Sequence, residues 1–123
     1  MHRILIVEDD AHEALLYRKE FEEEGYRVDV VHSGDEAIAY VRAQTPAVVV
    51  LDINMPVRDG IDTLTRLMEI NNRLPVVLNT AYSAYKDNFM TWAAVAYVVK
   101  SSDLAELKQA VREAVKSAAG EGS

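Results

Sequence analysis

Short apolar runs and longer segments with helical spacing alternate along the chain. Five such runs begin near residues 4, 28, 48, 76 and 96. Consecutive starts are 20 to 28 residues apart, which leaves room for a helix after each run. Most runs are continuously apolar, as expected for strands that helices cover on both faces. The pattern therefore predicts an α/β domain built on a parallel sheet, with the more polar second run at an edge.

The segments between the runs carry helix signals of unequal strength. Ser33 followed by Glu36 predicts a capping box at the start of the second helix. Gly25 predicts the end of the first helix. The residues of that first helix expected to share one apolar face are Ala11, Ala14, Leu15 and Phe21. The fourth segment, about residues 83–94, is rich in aromatic residues and has no glycine at its end, so we expect a short or mobile helix there.

Length and composition fit a single domain. A chain of 123 residues, half of them apolar, can bury roughly two thirds of its unfolded surface. We expect the domain to span residues 1–117 and residues 118–123 to form a tail or the start of a linker. The absence of cysteine excludes disulfides and thiolate sites and fits a cytoplasmic location. No apolar stretch reaches the ~18 residues of a membrane span, and a net charge of −7 argues against direct nucleic-acid binding.

Four of the apolar runs end on polar side chains that could meet. Glu8 and Asp9 follow the first run, Asp52 follows the third, Thr80 ends the fourth, and Lys100 follows the fifth. The carboxyl ends of parallel strands lie on one edge of a sheet, where open α/β proteins bind ligands. Carboxylates, a hydroxyl and an amine together suit a divalent cation and a phosphoryl group. Asp52 is therefore the candidate phosphoryl acceptor.

Each of these residues, taken alone, also has a purely structural interpretation. Acidic residues after the first run could favour the start of a helix by ~0.3 to 1 kcal/mol. Asp52 could cap a loop or helix, and Lys100 could be a solvated lysine at a strand end. The joint spacing of the whole set is what favours the functional interpretation.

Several motifs, in this order, resemble the receiver domain of bacterial two-component response regulators, the family to which chemotaxis regulators belong. The resemblance covers residues 3–116 and begins with the acidic pair after the first strand. Its most specific part is the segment Leu51-Asp52-Ile53-Asn54-Met55-Pro56 followed by Asp59-Gly60. The later matching motifs are Asn79-Thr80-Ala81 and Tyr97-Val98-Val99-Lys100.

This resemblance implies a flavodoxin-like, doubly wound sheet of five parallel strands in the order 2-1-3-4-5, with five helices. It implies that Asp52 takes a phosphoryl group from a histidine kinase or phosphotransfer protein, assisted by Thr80 and Lys100. The implied Mg2+ ligands are Asp9, Asp52, the backbone carbonyl of Asn54 and, through water, Glu8. A protein of this kind is a signalling domain that catalyses only its own phosphorylation and dephosphorylation.

The resemblance also implies a switch. Phosphorylation would draw Thr80 toward the phosphate and let Tyr97 turn inward, which would alter the surface formed by the fourth helix, the fifth strand and the fifth helix. We expect Tyr85 or Trp92 to contact a downstream partner or a second copy of the chain, as exposed aromatics often do. We expect Tyr82 to lie at the rim of the pocket, to restrict the attacking water and to prolong the life of the phosphate.

Two departures from the family pattern bear on these expectations. Ser101 stands where the family has a proline after the lysine, and the family's Lys-Pro bond is typically cis. We predict a cis Lys100–Ser101 bond, although cis costs ~2.5 to 4 kcal/mol without proline. Residues 92–95 lack the glycine that commonly follows the fourth helix, which could shorten or reshape that helix.

Two other classes of protein share parts of this pattern. A phosphohydrolase of the haloacid dehalogenase type also uses an aspartate nucleophile, but it needs a second acid where Asn54 stands. A flavodoxin-like cofactor binder needs a glycine-rich loop with a hydroxyl after the first strand, where this chain has three acids. The sequence leaves open whether the domain is a stand-alone regulator or the first part of a longer protein.

Overall fold

The protein folds as an alternating α/β domain. A computed structural model describes residues 2–53, 60–81 and 93–120. The strands are β1 (Arg3–Val7), β2 (Arg27–Val31), β3 (Val48–Leu51), β4 (Val76–Thr80) and β5 (Ala96–Val99). The helices among the described residues are α1 (Ala11–Glu23), α2 (Gly34–Ala43), α3 (Gly60–Ile70) and α4 (Ala105–Gly120).

The strands form one parallel sheet in the order β2-β1-β3-β4-β5. This confirms the predicted flavodoxin-like sheet and the edge position of the second run. In β2, Arg27 and Asp29 are exposed, whereas all four residues of β3 are buried. The more polar strand is therefore at the edge because only its inward-facing residues need to be apolar.

Helices cover both faces of the sheet, as the continuous apolar runs predict. One core joins alternate strand residues to α2 and α3 and includes Leu5, Leu51, Leu64, Leu67 and Leu78. The other joins the intervening strand residues to α1 and α4 and includes Ile4, Phe21, Val50, Val77 and Val111. Strand side chains point alternately to the two faces, so a strand buried on both sides must be apolar at every position.

The predicted ends of the first two helices are confirmed. The Ser33 hydroxyl accepts a hydrogen bond from the Glu36 amide at 3.2 Å, which caps α2. The Glu36 carboxylate reaches back to the amide of His32, at 3.4 Å, rather than to that of Ser33. Gly25 follows α1 with a φ of 98°, a left-handed conformation that glycine adopts without a steric penalty.

The predicted inward face of the first helix is partly wrong. Ala14 and Phe21 are buried, but Leu15 is 66% exposed and Ala11 is also exposed. The third buried position is Tyr17, which is only 4% exposed. Residues 14, 17 and 21 follow the i, i+3, i+7 spacing of one helix face. Tyr17 can lie there because its hydroxyl has a polar partner.

Two further expectations concern the segment between β4 and α4. The predicted fourth helix lies almost entirely outside the described residues, and so do Tyr82, Tyr85 and Trp92. The predicted fifth helix is α4, which continues to Gly120. In the described part of the chain, no helix combines the length and the apolar character that crossing a membrane requires.

The predicted cis bond between Lys100 and Ser101 is wrong. No peptide bond among the described residues is cis, and this one lies within them. The Lys100 amide donates to the Thr80 carbonyl at 2.7 Å, so the trans chain continues the pairing of β5 with β4. Without proline the trans form is favoured by ~2.5 to 4 kcal/mol, and the lysine side chain still reaches the site in this form.

Candidate functional site

The candidate residues lie at the carboxyl edge of the sheet because backbone pairing continues past the strand ends. The Glu8 amide donates to the Val31 carbonyl at 3.0 Å, and the Asp52 amide donates to the Val7 carbonyl at 3.2 Å. These bonds set β1, its two neighbours and the first polar residues after them in register. The side chains of Glu8, Asp52 and Lys100 therefore meet at this edge, as predicted.

Three carboxylates form an acidic group at this edge. Ligand oxygens of Glu8, Asp9 and Asp52 all lie within 4.8 Å of one another. Glu8 is 2% exposed and Asp52 is 4% exposed, whereas Asp9 is exposed. Two buried acids beside one that faces solvent leave an open side through which water or a ligand oxygen can enter.

Lys100 supplies positive charge to this group. Its ammonium nitrogen lies 2.9 Å from Glu8 Oε1, 3.1 Å from Asp52 Oδ2 and 3.0 Å from Glu13 Oε1. Burial alone would lower the pKa of Lys100, but hydrogen bonds to Glu8 and Glu13 and the charge of Asp52 outweigh it and raise the pKa. Lys100 therefore stays protonated and holds the two buried acids.

One ammonium does not balance the acids around it. Burial raises the pKa of Glu8 to about 7, Lys100 opposes the rise, and the charge of Asp52 adds to it. Lys100 keeps its proton, so the cost of burying a negative charge, with a smaller contribution from the charge of Asp52, falls on Glu8. A divalent cation at this edge would relieve that cost.

The residues present fit Mg2+ by their chemistry. Carboxylate oxygens are hard ligands, and Mg2+ keeps several waters when one or two carboxylates bind it. The ligand oxygens of the acidic group are close enough to share one ion, and the exposed Asp9 leaves room for waters. Asn54, whose carbonyl we expect as a further ligand, lies outside the described residues.

Thr80 lies on β4, the strand next to the acceptor strand β3, and Tyr97 lies on β5, the edge strand beyond β4. Thr80 is completely buried at the end of β4, and its carbonyl binds the Lys100 amide. Tyr97 pairs with Leu78 in the sheet and packs, half-buried, against the core on the α2 and α3 side. Both predicted switch residues thus lie at or near the edge that carries Asp52.

Glycine 60 holds the backbone beside the acceptor. Its amide donates to the Ile53 carbonyl at 3.1 Å. A Cβ atom at this position would collide with the Ile53 Cα and would lie 2.7 Å from the Asp52 carbonyl oxygen. Only glycine allows the start of α3 to approach the chain after β3 so closely.

Sequence reasoning missed two polar residues beside the site, Glu13 and Tyr17, and gave Asn79 no role of its own within the matching motif. Glu13 contacts Lys100, and the Tyr17 hydroxyl donates to Glu13 at 3.3 Å. Asn79, buried in β4, also interacts with the Tyr17 hydroxyl. The only signal in the sequence is the i, i+4 spacing of Glu13 and Tyr17 just after the acidic run. It does not reveal a contact with a lysine on a distant strand.

Asp10 has the structural role considered for the acidic run. Its side chain accepts hydrogen bonds from the amides of His12 and Glu13, at 2.9 and 3.0 Å, and caps α1. Of the three consecutive acids, Glu8 and Asp9 therefore face the site and Asp10 begins the helix.

Known proteins are similar to this chain in sequence. The sequence matches the family model of the response regulator receiver domain over residues 4–112. It is 35% identical to the transcriptional regulatory protein TctD of Salmonella typhimurium over 121 residues, 97% of this chain and 54% of TctD. It is also 35% identical to PrrA of Mycobacterium tuberculosis over 112 residues, 89% of this chain and 48% of PrrA. The chain spans about half the length of these curated relatives.

Solved structures of response regulators are also similar to this chain. The response regulator TrrA of Thermotoga maritima, crystallised with Mg2+ and beryllofluoride, is 36% identical with a TM-score of 0.90, over 93% of this chain and 99% of TrrA. TrrA in complex with the histidine kinase ThkA superimposes with a TM-score of 0.87, again at 36% identity, over 93% of this chain and 98% of the matched one. The fold, the acidic edge and these matches agree, and the chain belongs to the response regulator receiver domain family.

Proposed function

We propose that Asp52 accepts a phosphoryl group from a phosphohistidine on a histidine kinase or phosphotransfer protein. The observation that carries the proposal is the buried contact between Lys100 Nζ and Asp52 Oδ2, 3.1 Å, beside an acidic group that could share a metal ion. The structure of the related TrrA with a histidine kinase supports this class of donor.

The transfer would proceed by nucleophilic attack of the aspartate. A carboxylate oxygen of Asp52 forms a bond to phosphorus while the bond from phosphorus to the donor imidazole nitrogen breaks. The imidazole keeps the electron pair of that bond and takes up a proton, and Asp52 becomes an acyl phosphate. Hydrolysis by water later returns the carboxylate and inorganic phosphate.

The chain's own groups would position and neutralise the moving phosphoryl group. The Lys100 ammonium already lies beside the attacking carboxylate, and we propose that the Thr80 hydroxyl binds a phosphoryl oxygen. Asp9, Asp52, the Asn54 carbonyl and, through water, Glu8 would hold Mg2+. The ion would supply further positive charge next to the phosphoryl oxygens, and the TrrA complex with Mg2+ and beryllofluoride supports this choice of metal.

Phosphorylation would then change the surface that carries the signal. We propose that Thr80 and Tyr97 couple Asp52 to β5, α4 and the segment of residues 83–94 that precedes β5. A local charge change that shifts two arrangements of this surface would act as a switch. Tyr85 and Trp92 stay proposed contacts for a partner, and Tyr82 a proposed brake on hydrolysis.

The downstream partner is another protein, an attached output domain or a second copy of the chain. Curated relatives are named transcriptional regulatory proteins, and this chain matches about half of their length. We propose that residues 1–117 form the receiver unit, that residues 118–123 are a tail or linker, and that the unit itself binds no DNA. The family match favours this signalling function over a phosphohydrolase of the haloacid dehalogenase type.

Labelling by acetyl phosphate tests the proposal. The wild type should incorporate one phosphoryl group per chain in the presence of Mg2+ and none after EDTA treatment. Asp52→Asn should abolish labelling, because an amide is not a nucleophile of this kind. Asp29→Asn is the matched control, since it removes an exposed aspartate from the edge strand and should label like the wild type. Labelling that survives in Asp52→Asn, or turnover of unrelated phosphoesters, would contradict the proposal.

A further inference from the structure

Glu13 is a third acid on Lys100, and it comes from a helix rather than from the carboxyl end of a strand. Glu13 Oε1 lies 3.0 Å from Lys100 Nζ. The Asp10 cap binds the Glu13 amide, and the Tyr17 hydroxyl donates to the Glu13 carboxylate at 3.3 Å. The carboxylate is therefore held toward the lysine both by its own backbone and by a buried phenol.

Three acids surround the Lys100 ammonium in this arrangement. A lysine ammonium carries three N–H donors. Three carboxylate oxygens, from Glu8, Asp52 and Glu13, lie within 2.9 to 3.1 Å of the nitrogen. A phosphoryl group on Asp52 would bring new negatively charged acceptor oxygens to the same lysine and would compete with the acids already in contact with it.

Exposure indicates which contact is given up. The side chains of Glu8 and Asp52 are 2% and 5% exposed, whereas that of Glu13 is 38% exposed. Releasing Glu8 would leave a buried charge without its ammonium, which is costly, and Asp52 itself carries the incoming phosphoryl group. Glu13 can turn to solvent, where a lost ion pair is worth little.

We propose that Glu13 is a positioning residue that holds Lys100 before phosphorylation and is displaced from it when Asp52 carries a phosphoryl group. This inference rests on the proposed function of Asp52. Glu13 competes with the phosphoryl group for the lysine, while Glu8 and Asp52 suffice to keep the lysine in the site. Loss of the Glu13 contact therefore favours phosphorylation.

Two substitutions distinguish the effect of the contact between Glu13 and Lys100 from the effect of the negative charge of Glu13. Glu13→Gln removes the negative charge, and Glu13→Asp keeps the charge but shortens the side chain by one methylene. Both should raise the initial rate of labelling by acetyl phosphate in saturating Mg2+ by about threefold, the range of one partly exposed ion pair. Glu23→Gln, an exposed acid in the last turn of the same helix, is the matched control and should leave the rate unchanged.

A spectroscopic measurement on the wild type follows the release itself. The side-chain carboxyl carbon of Glu13, assigned with the help of its absence in Glu13→Gln, should shift toward the signal of a solvated glutamate when Mg2+ and beryllofluoride are added. A residue that only supports α1 would not respond to a phosphoryl analogue in this way. An unchanged Glu13 signal overturns the proposal even if a variant is poorly folded.

The outcomes distinguish this inference from the function on which it rests. A wild type that is not labelled overturns the proposed function. A labelled wild type with an equal or lower rate in Glu13→Gln overturns only the role of Glu13. A higher rate in Glu13→Gln with a wild-type rate in Glu13→Asp also overturns it, because charge rather than contact would then be responsible.

Discussion

Two ionic clusters in this domain differ in burial rather than in kind. At the carboxyl edge, Lys100 lies 2.9 Å from Glu8 and 3.1 Å from Asp52, and the acid side chains are 2% and 5% exposed. At the pairing of β1 with the edge strand β2, Arg3 lies 3.7 Å from Asp29, with side-chain exposures of 36% and 49%.

The difference in burial determines how much the loss of a charge should cost in each cluster. The exposed pair is solvated on both sides, so either charge can be lost at little cost. The buried cluster holds more acid than base, and burial raises the pKa of Glu8 to about 7 against the effect of Lys100. Buried acids in excess of base do not favour the folded state, which fits the cation and the phosphoryl group that we propose for this site.

The largest effect should follow from removing the base of the buried cluster. Lys100→Met keeps the apolar stem but leaves Glu8 and Asp52 without their ammonium partner. We expect a loss of about 3 kcal/mol in the free energy of unfolding, because two buried acids lose the ammonium that compensates their charge. Labelling by acetyl phosphate should fall about a hundredfold, as when one donor to a developing charge is removed.

Urea unfolding with and without Mg2+ measures this change. The ion should restore more stability to Lys100→Met than to the wild type, since it supplies the missing positive charge at the acids. A variant as stable as the wild type in EDTA would show that the cluster is not electrostatically coupled to the fold.

A smaller effect should follow from moving the backbone beside Asp52. Gly60→Ala places a methyl group against the Ile53 Cα and the Asp52 carbonyl. We expect a loss of about 2 kcal/mol from the shifts that such overpacking forces, together with slower labelling of the folded fraction. Gly25→Ala is the control: its φ of 98° makes alanine strained, at about 1 kcal/mol, but nothing lies within 4 Å of the added carbon. Equal labelling by the two variants would contradict a specific role for Gly60.

The sheet and most of the site could be predicted because both follow from local pattern. Runs of apolar residues determine which segments are buried strands, and parallel strands bring Glu8, Asp52 and Lys100 to one edge. The inward face of α1 could not be predicted well. Tyr17 can be buried only because its hydroxyl has a polar partner, and the sequence does not show that partner. The predicted cis conformation of the Lys100–Ser101 bond follows from the Lys-Pro bond of the family, which depends on proline. Without proline the ordinary trans preference prevails.

The contact of Glu13 with Lys100 lay beyond sequence reasoning for a different reason. The two residues belong to the first helix and the end of the last strand, so only the packing of α1 on the sheet brings them together. A glutamate in the first turn of a helix is ordinary, since it favours the positive end of the helix dipole. The presence of a glutamate at position 13 therefore does not indicate a contact with Lys100.

The smallest effect should come from the exposed cluster, and it makes the comparison quantitative. Arg3→Met, Asp29→Asn and the double variant form a cycle whose coupling energy we expect to be at most about 0.5 kcal/mol. Tyr40 donates to Asp29 at 2.6 Å, and an asparagine oxygen can still accept that bond. High salt should remove the remaining coupling by screening, and labelling of Asp52 should not change. A coupling above about 2 kcal/mol would lie beyond the range of exposed pairs and would mean that exposure does not distinguish the two clusters. The excess of acid at the carboxyl edge would then no longer support a functional role for that edge.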